Sequence, residues 1–185
     1  NIHRNKFFDI NSKFYRRLAY DEILANLIVL SQARKRIKKF KKEKKKFDNS
    51  FSKRIIDNFN FSLTNSQINM INEINSDLKS DHKMFRLLQG DVGSGKTIVS
   101  FIAAANVIKS NYQVALMVPT EILAKQHFVL ANKIFKSTNI SIAFLSGKSD
   151  INKKKIIYKD LADGKINFLI GTHALFQKNI NFKEL

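Results

Sequence analysis

Eight consecutive residues, Gly90-Asp91-Val92-Gly93-Ser94-Gly95-Lys96-Thr97, have the types and spacing that chemistry on a phosphate requires. They fit the pattern G-x-x-x-x-G-K-[ST] at every fixed position. The glycines allow a tight turn whose successive N–H groups aim at phosphate oxygens. Lys96 brings a compact positive charge toward the β- and γ-phosphates, and the Thr97 hydroxyl can ligate Mg²⁺. The flanks agree with the motif. Residues 84–89 are short and apolar enough to predict a buried strand. Residues 98–108 are apolar and Ala-rich, without Gly or Pro, and predict a helix. Strand, loop and helix in that order set the phosphates on a helix N-terminus, where orphan N–H groups and the macrodipole favour anions. A nucleoside triphosphate is the implied ligand.

The elements that must position this loop are legible in outline. Residues 14–47 contain no Gly or Pro, and Leu18, Leu24, Leu27, Ile28 and Leu30 recur at helical spacing. The apolar pattern fades after Leu30, and residues 34–46 then hold ten basic side chains in thirteen. A helix buried in its first half and solvated in its second is expected. The basic run is either a solvated helix end or a contact for a phosphate backbone. Thr64 and Gln67 have the S/T-x-x-E/Q spacing of a capping box, ahead of Ile68, Ile71, Ile74 and Leu78 on one helical stripe. After the phosphate loop come predicted strands at 113–118, 141–145 and 167–171, separated by helices at 121–135 and 152–162. Strands alternating with helices imply an α/β fold with a parallel sheet. Each strand ends in a small or polar cluster: Pro119-Thr120-Glu121, Ser146-Gly147 and Gly171-Thr172-His173. The carboxyl ends of strands form the ligand crevice of such sheets, so these clusters could line a second site, although turn chemistry explains any one of them.

Composition narrows the partners. The 185 residues carry 33 Lys and Arg against 15 Asp and Glu, a net charge of +18. Residues 1–60 hold 17 of the basic and 6 of the acidic side chains. This excess favours a polyanion such as nucleic acid, against a lysine-rich compositional bias as the plain alternative. With no cysteine, disulfides and thiolate metal sites are excluded and an intracellular setting is favoured. No apolar run approaches the ~18 residues of a membrane span, and the sequence starts at Asn1 without a signal-peptide pattern, as a piece of a longer protein would.

Three stretches together resemble the RecG family. They are Arg86-Leu87-Leu88-Gln89 running into the phosphate loop, then Pro119-Thr120-Glu121-Ile122-Leu123-Ala124-Lys125-Gln126-His127, and Gly171-Thr172-His173-Ala174-Leu175. Arg17-Leu18-Ala19-Tyr20-Asp21-Glu22-Ile23-Leu24-Ala25-Asn26 and Phe61-Ser62-Leu63-Thr64-Asn65-Ser66-Gln67 resemble the stretch that joins that family's wedge domain to its motor. The family consists of bacterial, ATP-dependent superfamily 2 DNA helicases that remodel branched DNA. The resemblance implies a helical linker over residues 1–60 and, over 61–185, the first part of a RecA-like motor lobe with a truncated parallel sheet. It implies ATP and Mg²⁺ as cofactors, with Gln67 reading adenine, residues 90–97 holding the phosphates, and Lys96 and Thr97 serving phosphoryl transfer. Thr120, Glu121, Gln126, His127, Ser146, Gly147, Thr172 and His173 are implied to lie along DNA. Ser146 departs slightly, since Thr is more usual there.

In that family an Asp-Glu-x-His motif follows shortly after the segment matching Phe182-Lys183-Glu184-Leu185. The resemblance therefore leads to an expectation that this chain binds ATP without turning it over, the second motor lobe and the wedge belonging to the rest of the parent. A cytoplasmic, nucleoid-associated location is implied. The motor lobe of a transcription-repair coupling factor and a phosphate-loop switch or kinase are the alternative readings. DNA binding should be insensitive to sequence and steeply salt-dependent, because lysine contacts to phosphate release counterions. Replacing several lysines of residues 38–46 by Gln should flatten the salt slope measured by fluorescence anisotropy; an unchanged slope returns the run to a solvated helix end.

Overall fold

The computed structural model describes residues 12–47, 50–57, 59, 61–176 and 179–185. Residues 1–11, whose sequence predicts no element, lie outside them. The chain divides into two units, one of Asn1–Glu43 with Asp81–Arg86 and the other of Lys44–Ser80 with Leu87–Leu185.

The first unit is built on helix α1, Lys13–Lys39. After it, Lys41 and His82 form an antiparallel bridge, with Lys42 N donating to Asp81 O at 2.8 Å and Lys83 N to Phe40 O at 3.2 Å. The expected burial of the first half of α1 is not found: Phe14 is 73% exposed, Leu27 58% and Leu30 53%. An amphipathic stripe becomes buried only where a second apolar surface lies on it. Among the described residues this unit contains no other helix or sheet.

The second unit holds α2 (Ser50–Asp57), α3 (Asn65–Lys79), α4 (Lys96–Lys109), β1 (Val114–Met117), α5 (Glu121–Ile134), β2 (Ile142–Leu145), α6 (Ile151–Ala162) and β3 (Phe168–Gly171), closed by a 3₁₀ turn at His173–Phe176. The three strands are parallel in the order β1-β3-β2, so the last strand enters between the first two. β3 is a run of apolar residues buried on both faces, as a central parallel strand must be. Its alternation sorts the layers. Phe168 and Ile170 join Phe101, Ala105, Ala124 and Phe135 on the side of α4 and α5, whereas Leu169 joins Leu145 and Leu161 on the side of α6. Phe168 meets Phe101 edge-on at 5.7 Å and Phe135 at 6.1 Å, the offset geometry that aromatic quadrupoles prefer. A third cluster seats α4 on α3 through Val99, Ile102, Ile71, Ile74 and Leu78.

The buried Gln113 amide, just before β1, uses all of its bonding capacity. Nε2 donates to Leu161 O (3.0 Å) and Ile166 O (2.7 Å), and Oε1 accepts from Lys183 N (2.7 Å) and Glu184 N (3.0 Å). It ties the end of α6 and residues 183–184 to the sheet.

One expected element is absent. Residues 84–89 form no strand, and Phe85 and Leu87 are 77% and 85% exposed. A strand exists through its ladder partner, and among the described residues neither the sheet nor the isolated bridge takes in this segment. α2 and the 3₁₀ turn were not foreseen. α2 is only 8 residues long, too short for its period to stand out.

Two glycines, one at the end of β3 and one in the turn after β2, should respond differently to Ala. A Cβ at Gly171 would run into the Leu145 carbonyl of the paired strand, whereas one at Gly147 meets nothing within 4 Å. Gly171→Ala should cost about 1–3 kcal/mol, the scale of overpacking in a core, and Gly147→Ala should fall within about 0.5 kcal/mol of zero. Urea denaturation of both variants checks this.

Candidate functional site

The phosphate loop forms at the head of α4. Gly93 and Gly95 both adopt φ +83°, a left-handed conformation that L side chains resist. Gly95 occupies the cap position without a side chain, and its carbonyl accepts from Ile98 N (3.0 Å) and Val99 N (3.2 Å), which starts the helix at Lys96. Behind this exposed head, Val99, Phe101 and Ile102 are at most 1% exposed, so the loop stands on a fixed base.

Two polar groups of the loop bond back to its own carbonyls. Ser94 N donates to Asp91 O at 3.2 Å, closing a turn. Lys96 Nζ folds back and donates to Gly90 O at 2.7 Å and Asp91 O at 2.6 Å. The cation is therefore held within the loop on two carbonyls, charge-assisted bonds that a phosphate oxygen could replace in kind. Val92 stands fully exposed at the tip.

Gln67 reaches this loop from the first turn of α3. The expected capping box is present: Thr64 Oγ1 accepts from Gln67 N at 3.3 Å, and Thr64 N donates to Gln67 Oε1 at 3.0 Å. This cap uses only the oxygen of the Gln67 amide. Nε2 is left over and donates to Ser94 O at 2.9 Å. One side chain thus serves the cap and touches the phosphate loop, and both readings of Gln67 have a geometric basis.

The strand-end clusters lie on one edge of the sheet. Met117 and Leu145 both pair with Gly171, so the three carboxyl ends are abreast. At strand spacings near 4.8 Å the row spans about 10 Å. Thr120 caps α5, accepting from Leu123 N at 3.3 Å, and Glu121 pairs with Lys125 at 3.3 Å. His173, Gly147 and Gln126 are exposed, and Thr172 is half-buried.

Two residues point elsewhere. Ser146 is only 2% exposed; its N–H donates to Ser149 Oγ (3.0 Å), and its hydroxyl faces the same atom at 3.4 Å. What this turn presents outward is Gly147 and Lys148. His127 packs edge-on against Phe101 at 6.2 Å, and burial lowers its pKa from the ordinary 6.5. Sequence reasoning also missed Lys154, whose Nζ donates to Gly147 O at 2.7 Å and fixes the β2–α6 turn. Only its place in the first turn of a helix after Ser-Gly could have signalled it.

Comparison with known proteins bears on both clusters. A family model described as DEAD/DEAH box helicase matches residues 64–185. The chain is 43% identical over 181 residues to the ATP-dependent DNA helicase RecG of Aquifex aeolicus, covering 98% of this chain and 22% of that protein. It is 42% identical to the RecG of Bacillus subtilis over 92% of this chain and 25% of that one. A solved structure of RecG bound to a three-way DNA junction matches with a TM-score of 0.85 at 39% identity, over 92% of this chain and 23% of its own. The chain thus spans no more than about a quarter of the relatives it matches. The resemblance read from the sequence motifs and the α/β fold of a helicase lobe are borne out.

The lowered pKa of His127 has a consequence for stability. The folded state disfavours its charged form, so as pH falls below 6.5 the unfolded chain takes up the proton first and stability drops. His127→Gln should remove that component, and comparing urea midpoints of the two proteins between pH 7 and pH 5 measures it. Equal pH slopes would mean that His127 is not desolvated.

Proposed function

The chain belongs to the DEAD/DEAH box helicase family, and from that premise we propose that it is the ATP-binding part of a helicase that remodels branched DNA. The observation that carries this reading is the loop itself: two left-handed glycines, a helix N-terminus and a retracted lysine, with an amide from α3 resting on it. ATP would displace the Asp91 and Gly90 carbonyls from Lys96, whose ammonium would then face the β- and γ-phosphates. The N–H groups at the head of α4 would receive the remaining phosphate charge. Thr97, in the first turn, is the residue proposed to hold Mg²⁺. That ion, when bound, neutralises charge on the transferred phosphoryl group. Gln67 would read the adenine edge.

DNA would lie along the sheet edge formed by the ends of β1, β2 and β3, meeting Thr120, Glu121, Gln126, Gly147, Thr172 and His173. The row of ends in register supports one continuous strand track. Ser146 and His127 would shape that track from beneath, since both side chains turn inward. Residues 1–60, rich in Lys and Arg, would form a helical linker toward a wedge-like region, and residues 61–185 the beginning of the motor lobe. In the whole protein, hydrolysis between two such lobes would drive fork reversal or branch migration in the bacterial cytoplasm, at the nucleoid. The matched RecG proteins and the RecG structure on a three-way junction support this assignment. Among the described residues no helix is long and apolar enough to cross a membrane.

Lys96→Ala should weaken binding of a fluorescent ATP analogue by about 1.5–3 kcal/mol, the scale of a charge-assisted contact. Equal affinities of the two proteins in a direct titration would sink the assignment.

A further inference from the structure

Building on the proposed DNA track along the strand ends, we infer that Lys148, in the turn after β2, is the cation that takes a backbone phosphate there. Lys154 is the residue that positions it, without touching DNA itself. These two lysines supply the contact that the buried Ser146 cannot make.

Residues 146–149 form a β-turn that is closed twice. Ser149 N donates to Ser146 O at 3.2 Å, and Ser146 N donates to Ser149 Oγ at 3.0 Å. Ser146 is buried and its hydroxyl lies 3.4 Å from the same Ser149 Oγ, so it faces into the turn. The two central positions of such a turn stand outside the closing bond. Here they are Gly147 and Lys148, and both are exposed. Because Leu145 pairs with Gly171, the turn begins level with the ends of the other strands. The head of α6, which follows, is closed by its own cap: Asp150 Oδ1 accepts from Asn152 N at 2.8 Å and from Lys153 N at 3.3 Å. The place for an anion is therefore the turn and not the helix start.

Gly147 points to a ligand independently. Its φ is not left-handed, and a Cβ there would meet nothing within 4 Å. Neither the backbone conformation nor the packing calls for glycine. A bare backbone also serves the close approach of a ligand, and that use remains. The surroundings select an anion, with Lys148, Lys153, Lys154 and Lys155 set against Asp150. Lys154 Nζ donates to Gly147 O at 2.7 Å, so its charge is anchored on the turn. A trans peptide directs its C=O and N–H opposite ways. Holding the Gly147 carbonyl toward α6 therefore aims the Lys148 N–H away from α6 and fixes the peptide from which the Lys148 side chain departs. Lys148 can then offer a phosphate both a backbone N–H and an ammonium, a charge-assisted contact. Lys154, half-buried with its ammonium on a carbonyl, acts through Lys148.

The test measures binding of a fluorescein-labelled three-way DNA junction to the intact protein by anisotropy, at salt from about 50 to 200 mM. Lys148→Gln should lower the slope of log K against log salt by about 0.7–0.9, one phosphate contact, and weaken binding about five- to eightfold near 0.1 M salt. Lys154→Met should lose the same contact, and Lys154→Arg, which keeps the donor, should restore it. The double variant Lys148→Gln with Lys154→Met should bind no worse than Lys148→Gln, because both changes remove one contact. An unchanged slope in Lys148→Gln overturns the phosphate site. A slope in the double variant lower by two contacts makes Lys154 a contact in its own right and overturns its positioning role. So does a Lys154→Met protein whose urea midpoint falls while its salt slope stays, since that marks a merely structural lysine. His173→Ala probes the track at β3, away from this turn. Binding weakened by His173→Ala and untouched by Lys148→Gln removes the turn and leaves the track; binding untouched by either removes the track and the turn with it.

Discussion

The first turn of α4 has to present unpaired N–H groups to an anion while the rest of the helix is among the most deeply buried segments of the chain. Orphan donors at a helix start are stable when water, a side chain or a ligand takes them up. Here no side chain caps the helix, and Gly95 occupies the cap position. The opening is therefore left to solvent or phosphate, and the loop before it satisfies its own polar groups through Lys96 and Ser94. Packing of Val99, Phe101 and Ile102 against α3, α5 and β3 keeps that mouth in place.

The same packing joins the two clusters of functional interest. Phe101 sits on the phosphate-loop helix, yet it meets Phe168 of the central strand and His127 of α5, which starts from a strand end. Movement of α4 would therefore be felt by α5 and by the end of β3, because close-packed interiors transmit strain. Gly171 sharpens this, since the Leu145 carbonyl occupies the space a side chain would need, and it fixes where Thr172 and His173 leave the sheet.

What the sequence made legible was local chemistry. The capping box at Thr64 and Gln67 formed because its partners are three residues apart. The loop, α4, α5, α6 and three strands followed from period and glycine placement. What failed depends on distant partners. Residues 84–89 have strand composition, but a strand also needs a ladder, and among the described residues the sheet is formed by β1, β3 and β2 alone. The stripe of α1 has helical period, but burial needs an opposing surface. Ser146 and His127 have the right types for a phosphate track, and only the fold shows Ser149 and Phe101 drawing them inward. The reach of Gln67 Nε2 to Ser94 spans 27 residues and has no signature in spacing alone.

Backbone amide hydrogen exchange with and without ATP is the measurement that bears most directly on the proposed nucleotide site. ATP should slow exchange in the peptide covering Gly93 to Thr97, where N–H groups gain phosphate partners, and leave the amides of β3 unchanged because they are already paired within the sheet. Protection that appears elsewhere while the loop exchanges as fast as before would contradict a phosphate site at the head of α4.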